Sequence, residues 1–258
     1  MNGTPSAPIT IESASTTNEA ILSGTGTSSG YALYITGDYW IVKNLKVTNA
    51  QKGIVLDNSN YSVLDNVEVY GLGQEGVHFR DGSSNNTLQN SYVHDTGKID
   101  PGFGEAVYVG SDNGVWSTYN SKCDNNIISN NTLGPNVTAE HVDIKEGTTG
   151  TVVAYNTFNG TGISGQNSAD SFVDTKGNNA SVHDNTGSRN NNSNIVDAFQ
   201  MHVQVSGWGL NADFSNNTVN LDNTTGYVVN AVTGTTAKAH NNTRNPSGNM
   251  YKGSVTVY

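Results

Sequence analysis

Apolar and polar residues alternate along this chain in short bursts, and the bursts recur. "GIVLDN" from Gly53, "GVHFRDG" from Gly76, "AVYVGS" from Ala106, "HVDIKEG" from His141, "FVDTKG" from Phe172 and "FQMHV" from Phe199 each alternate residue by residue. That is the period of a β-strand. Between them runs a second phrase, an apolar residue, a few polar ones, then Asn, a small residue and another apolar one. It reads "IVKNLKV" from Ile41, "VLDNVEV" from Val63, "TLQNSYV" from Thr87, "IISNNTL" from Ile127, "VVAYNTF" from Val152, "SVHDNTG" from Ser181, "DFSNNTV" from Asp213 and "AKAHNNT" from Ala237. The repeating residues are Asn44, Asn66, Asn90, Asn131, Asn156, Asn185, Asn217 and Asn242, mostly 22 to 32 residues apart, with an insertion between Asn90 and Asn131. This period is too short for a propeller blade of roughly 40 residues. A sandwich would join antiparallel strands by tight two-residue hairpins. Two or three short strands per repeat, joined by Gly and Asn turns, predict an all-β chain wound as one right-handed parallel β-helix of about eight coils. The eight Asn side chains are expected at one bend, as a ladder of amides. Residues 1–258 read as a single domain, with an N-terminal cap over about 1–23 and a C-terminal closure over about 244–258.

Stacking the alternating bursts by their inward residues fixes a register. Val77 and Phe79 match Val107 and Val109, then Val142 and Ile144, Val173 and Thr175, and Phe199 and Met201. One outward column then holds His78, Tyr108, Asp143, Asp174 and Gln200. The next holds Arg80, Gly110, Lys145, Lys176 and His202, and a third, at the strand entrance, holds Glu75, Glu105, Glu140, Ser171 and Asp197. A salt-bridged solvent face that resists edge pairing is one account of such charges. Their concentration on consecutive turns of one face points instead to a functional groove.

Composition sharpens the picture because charge is scarce elsewhere. Only 13% of the 258 residues are charged, and Val, Ile, Thr and Tyr outnumber the strong helix formers. The net charge of −10 argues against a nucleic-acid binder, since phosphate binding needs a surplus of Lys and Arg. No apolar run approaches the roughly 20 residues that span a bilayer. Cys123 is the single cysteine, so no internal disulfide forms. "MNGTPSAPITIES" lacks the regions of a signal peptide; the low charge and the abundance of Asn, Gly, Ser and Thr fit an exported β-protein whose signal has been removed. A monomer is expected.

Two neighbour pairs within the columns carry chemistry. Lys145 and Lys176 fall on adjacent turns, where like charges favour a neutral amine that can act as a base. Glu105 and Glu140 are neighbours too; like carboxylates repel unless a proton or cation lies between them, and hard oxygen ligands suit Ca²⁺.

"EHVDIK" from Glu140 to Lys145, followed by "TGTVVAYNTF" ending at Phe158, resembles the catalytic turn of polysaccharide lyase family six. That family comprises alginate lyases and chondroitinase B, within the pectate-lyase-like parallel β-helix superfamily. Its turn places a Ca²⁺-binding Glu five residues before a catalytic Lys and follows them with an Asn-Thr-aromatic bend, as here. Lys176 stands where the family has an Arg, and Thr138 where it has a second acidic ligand. "ADSFVDTKG" from Ala169 resembles a turn of the family-nine pectate lyases, which also pair a Lys base with acidic Ca²⁺ ligands. The signatures of polygalacturonases are absent.

The resemblance implies β-elimination on an acidic polysaccharide. Glu140, with Glu105 or Asp143, would hold Ca²⁺ against the uronate carboxylate. Lys145 would be the general base. Lys176, or else His202 or Arg80, would protonate the leaving oxygen. His78, Arg80, Tyr108 and Gln200 would contact neighbouring sugars, and Trp208 and Trp116 would stack on sugar rings or pack in the core. The acidic net charge opposes an acidic substrate, so Ca²⁺ and the lysines would have to reverse the potential locally. Two rivals share the fold. A glycoside hydrolase would use Asp143 and Asp174 as its carboxyl pair, although hydrolases need such groups at least ~5 Å apart. A non-catalytic carbohydrate-binding or adhesin module would need none of this chemistry.

Overall fold

The computed structural model describes residues 1–15 and 17–258. Its strands stack in two parallel sheets, one of seventeen strands and one of nine, and successive turns of the chain pass from one to the other as a parallel β-helix. The nine-stranded sheet follows chain order without exception: Tyr31–Ile35, Lys52–Asp57, Val77–Arg80, Val107–Val109, Val142–Ile144, Val173–Thr175, Phe199–Met201, Val229–Ala231 and Tyr251–Gly253. The register matches the sequence alignment residue for residue, with Val77 opposite Val107, Val107 opposite Val142, Val142 opposite Val173, and Val173 opposite Phe199. Inward residues from both sheets, among them Phe79, Leu88, Ile144, Phe158, Phe199 and Phe214, fill one continuous apolar core along the coil. Phe158 and Phe172 stack with centroids 5.7 Å apart, as do Phe199 and Phe214, so aromatic packing runs parallel to the backbone ladder.

The Asn ladder exists, but its register differs from the expected one by a residue in the first turns. Asn131, Asn156, Asn185, Asn217 and Asn242 are buried, and each Nδ2 except that of Asn242, the last, donates to the Oδ1 of the next at 2.9 to 3.0 Å. Each Nδ2 also donates to a main-chain carbonyl, from Leu88 to Phe214. Asn44, Asn66 and Asn90 lie outside this column. They are surface residues in the left-handed region, at φ of 50° to 55°, equivalent to Asn130, Asp184, Asn216 and Asn241 one place before the ladder. Ser91 occupies the ladder position instead, accepting from Val67 N and donating its own N–H to Asn131 Oδ1. Both sites favour Asn, one for a left-handed backbone and one for a two-ended amide, and adjacent Asn residues hid which was which.

The terminal segments are part of the coil. Ile9–Glu12 and Ala20–Ser23 both pair in parallel with Trp40–Thr48. Tyr251–Gly253 and Val255–Val257 extend the two sheets at the other end. The expected cap and closure therefore contribute strands to the coil. Cys123 is buried and unpaired. Among the described residues no helix is long and apolar enough to cross a membrane.

Candidate active site

The outward columns of the nine-stranded sheet are built as the sequence predicts. His78, Tyr108, Asp143, Asp174 and Gln200 are register partners on consecutive strands. The charges nevertheless do not face open solvent. Asp143, Asp174, Lys145 and Lys176 are only 4 to 8% exposed. Insertions after the strands fold back over the sheet and wall in a cavity of about 410 Å³. Phe103 at the end of one short 3₁₀ turn, Asp112 before a second, and Asn167 and Ser168 in a third form its rim. Glu105, Tyr108, Glu140, Asp143, Lys145, Asp174, Lys176 and His202 line its walls.

The two lysines occupy different environments. Lys176 Nζ lies 2.7 Å from Asp143 Oδ1 and 2.7 Å from Asp174 Oδ2. Burial works against its charge, but Asp143, Asp174 and Glu140 outweigh burial and hold the ammonium well above its usual range. Burial likewise opposes the Asp174 carboxylate, yet Lys176 and His202 keep it well below the usual carboxylate range. The His202 ring, 2.8 Å from Asp174 Oδ1, is raised by that hydrogen bond. Lys176 is thus clamped between two carboxylates that favour its charged form. Lys145 is held loosely, 3.4 Å from Asp143 Oδ2 and 4.0 Å from Asp112 Oδ2. Its Nζ stands 5.3 Å from the centroid of the Tyr108 ring. Gly110 precedes it in the column, and a Cβ there would come within 3.1 Å of Lys145 Cβ. The Tyr108 hydroxyl has no hydrogen-bond partner among the described residues. Burial and the charges of Asp143 and Glu105 push its phenol well above the usual range, so it stays protonated.

Glu105, Glu140 and Asp143 bring carboxylate oxygens within 4.8 Å of one another. Burial, reinforced by Glu75 and Asp143, pushes Glu105 up to about 8. Burial and Asp143 raise Glu140 well above its usual range. Such a trio takes up protons or a cation, and a set of hard oxygen donors suits Ca²⁺.

The remaining expected residues fall around this centre. Both His78 ring nitrogens are engaged, Nδ1 with Glu75 and Nε2 with the Gly110 carbonyl, each at 2.9 Å. Arg80 forks onto Asp57 at 2.7 Å and lies against the Tyr31 and Tyr119 rings. His78 and Arg80 therefore buttress an adjoining cleft beside Lys52, Tyr108 and Tyr119. Gln200 donates to Asp197 at 3.1 Å. Trp208 is half-buried and lines none of the clefts on this face, and Trp116 donates its indole N–H to Ser111 O. Sequence reasoning missed Asp112, Phe103, Asn167 and Gln204. They lie in insertions with no repeat to align them.

No protein-family model and no curated protein sequence matches the chain. Among solved structures, an alginate lyase from Paenibacillus sp. strain FPU-7 is 58% identical, with a TM-score of 0.98 over 99% of this chain and 86% of that one. A pectate lyase, Pel9A, is 17% identical, with a TM-score of 0.69 over 100% of this chain and 62% of that one. An α-1,3-glucanase from Streptomyces thermodiastaticus is 15% identical, with a TM-score of 0.55 over 90% of this chain and 50% of that one. The last two likenesses concern the fold alone.

Proposed function

This chain belongs to the family of the Paenibacillus alginate lyase and is a parallel β-helix polysaccharide lyase, and on that premise we propose that it cleaves alginate by β-elimination, with Lys145 as the base and Tyr108 as the proton donor. The observation that carries the assignment is the pairing of these two side chains on one cavity wall, one an amine with only long contacts, the other a protonated phenol with a free hydroxyl. Lys145 takes the proton from the ring carbon beside the uronate carboxyl group. The electron pair forms the carbon–carbon double bond as the glycosidic carbon–oxygen bond breaks. Tyr108 gives its proton to the departing oxygen, and Lys145 can then return a proton to Tyr108 through the solvent in the cavity.

Lys145, Lys176 and His202 bring three basic side chains to a cavity of a protein that is acidic overall, with Asp143 and Asp174 offsetting the charge of Lys176. Their N–H donors can meet a uronate carboxylate and the negative charge that develops during proton removal. Glu105, Glu140 and Asp143 are the residues that would hold Ca²⁺. When bound, the cation would neutralise the substrate carboxylate as a Lewis acid. The hydrolase alternative loses its general acid, because Asp143 and Asp174 both face Lys176 at 2.7 Å and Asp174 stays ionised. A polymeric substrate that cannot enter a cell is consistent with an extracellular enzyme.

The test is ultraviolet absorbance of unsaturated uronate products. Wild type and Lys145→Ala would be incubated with alginate, pectate, glucuronan and chondroitin sulfate, each with Ca²⁺ and with chelator. Absorbance from alginate that Lys145→Ala abolishes supports the proposal. Reducing ends without absorbance would overturn it.

A further inference from the structure

The sheet that carries the cavity continues past it. Beyond Gln200 the outward column runs to Asn230 and then Lys252. At about 4.8 Å per turn, Asn230 lies three turns and about 14 Å from Asp143, and Lys252 four turns and about 19 Å. A second cleft, of about 330 Å³, opens over this end of the sheet, with Arg189, Asp197, Tyr227, Asn230 and Lys252 on its walls.

Its electrostatics differ from those of the first cavity. Lys145 and Lys176 are both compensated by aspartates. Among the described residues, Arg189 and Lys252 have no carboxylate within ion-pair distance. Arg189 is held in place by its own donors, Nε to Ile195 O at 2.9 Å and one terminal nitrogen to Leu221 O at 3.3 Å, which leaves the other terminal nitrogen without a partner. Lys252 Nζ stands 5.6 Å from the centroid of the Tyr227 ring. The one carboxylate in the cleft, Asp197, is occupied: it accepts from Tyr227 N, Gln200 Nε2 and Asn230 Nδ2 at 2.7 to 3.1 Å. Its hold on Asn230 Nδ2 fixes which end of that amide faces it. Asn230 Oδ1 is consequently buried with no hydrogen-bond partner, a state that ordinarily costs free energy unless a ligand donates to it.

Two uncompensated cations, an aromatic face and an unpaired acceptor, in line with the catalytic cavity, form a complementary surface for an acidic sugar. We propose that this cleft is a distal subsite that grips a uronate of the same polymer chain several turns of the sheet from the bond being cleaved. Arg189 and Lys252 face the carboxylate, Tyr227 packs on the ring, and Asn230 Oδ1 accepts a sugar hydroxyl. The inference rests on the lyase reading above.

The test uses oligoalginates of defined length, from trisaccharides to octasaccharides, and the variants Lys252→Ala, Lys252→Glu and Tyr227→Ala. Lys252 is exposed, so its replacement leaves the core intact. The expected result is that the preference for long over short chains, read as the ratio of their kcat/KM values, falls about fivefold in Lys252→Ala and further in Lys252→Glu. The salt sensitivity of KM on the octasaccharide should fall with it. An unchanged length preference in both Lys252 variants would overturn the subsite. Calorimetric binding of the same oligomers to Lys145→Ala reads the subsite without turnover: the affinity gained with length should shrink when Lys252→Glu is added, and its persistence would count against the proposal. Failure of the lyase reading is distinguishable, because wild type itself would then release no unsaturated product from any oligomer.

Discussion

Lys176 reaches across one turn of the coil to Asp143, Nζ to Oδ1 at 2.7 Å, while gripping Asp174 on its own strand at the same distance. Two carboxylates thereby share one ammonium in a space only 4 to 6% exposed. Removing one member of a buried pair strands the others. Lys176→Met should destabilise the protein by about 3–5 kcal/mol, measured by urea unfolding. Replacing Asp143 and Asp174 by Asn in the same background should recover part of the loss. Equal stability of Lys176→Met and wild type would show that the bridge carries no fixed charge.

Lys145 has no such structural duty. Lys145→Ala should lower kcat by about 10²- to 10⁴-fold with little change in melting temperature. Parallel loss of activity and of the folded state would instead make Lys145 a structural residue.

Tyr108→Phe removes a hydroxyl that bonds to nothing among the described residues, so folding should be spared while kcat falls about 10²-fold or more. A substrate with a good leaving group needs no protonation, and on it the variant should recover most of its rate. Retention of full activity on alginate would exclude Tyr108 as the proton donor.

Glu105 links stability to pH and to Ca²⁺. Burial, with Glu75 and Asp143, lifts its folded pKa to about 8, against about 4.3 for an unperturbed Glu. Between those values the folded state binds more protons than the unfolded one, so stability falls as pH rises. In chelator, the melting temperature should therefore drop between about pH 4.3 and pH 8. Glu105→Gln should flatten that slope. Ca²⁺ should raise the melting temperature most at the alkaline end, by mass action on the folded state. Identical profiles with Ca²⁺ and with chelator would argue against a metal at these three carboxylates.

The Asn ladder offers a test away from the site. Asn185→Ala leaves the main-chain N–H and side-chain amide of Asn156 without their acceptor and the Val153 carbonyl without a donor. A cost of about 1–3 kcal/mol is expected for groups so buried, read by denaturant unfolding. The same change at Asn66, on the surface, should cost much less.

The sequence by itself determined the coil, the strand register and the membership of the charged columns. Alternation has a period of exactly two residues, and a slip by one would turn Val107 and Val142 out to the polar face; Tyr108, Asp143 and Asp174 therefore had to align as they do. The adjacency of Lys145 to Lys176 and of Glu105 to Glu140 followed from the same constraint. The division of labour between them did not. Only the tertiary structure decided that Lys176 is clamped by two aspartates, that Lys145 instead stands near Tyr108, and that His78 and Arg80 spend their donors on Glu75, Gly110 and Asp57. Those outcomes depend on side-chain rotamers and on the loops that carry Phe103, Asp112 and Asn167 over the sheet. Loops have no period, so nothing in the repeat reports where they close, and it is their closure that turns a row of surface charges into a buried site with shifted proton affinities.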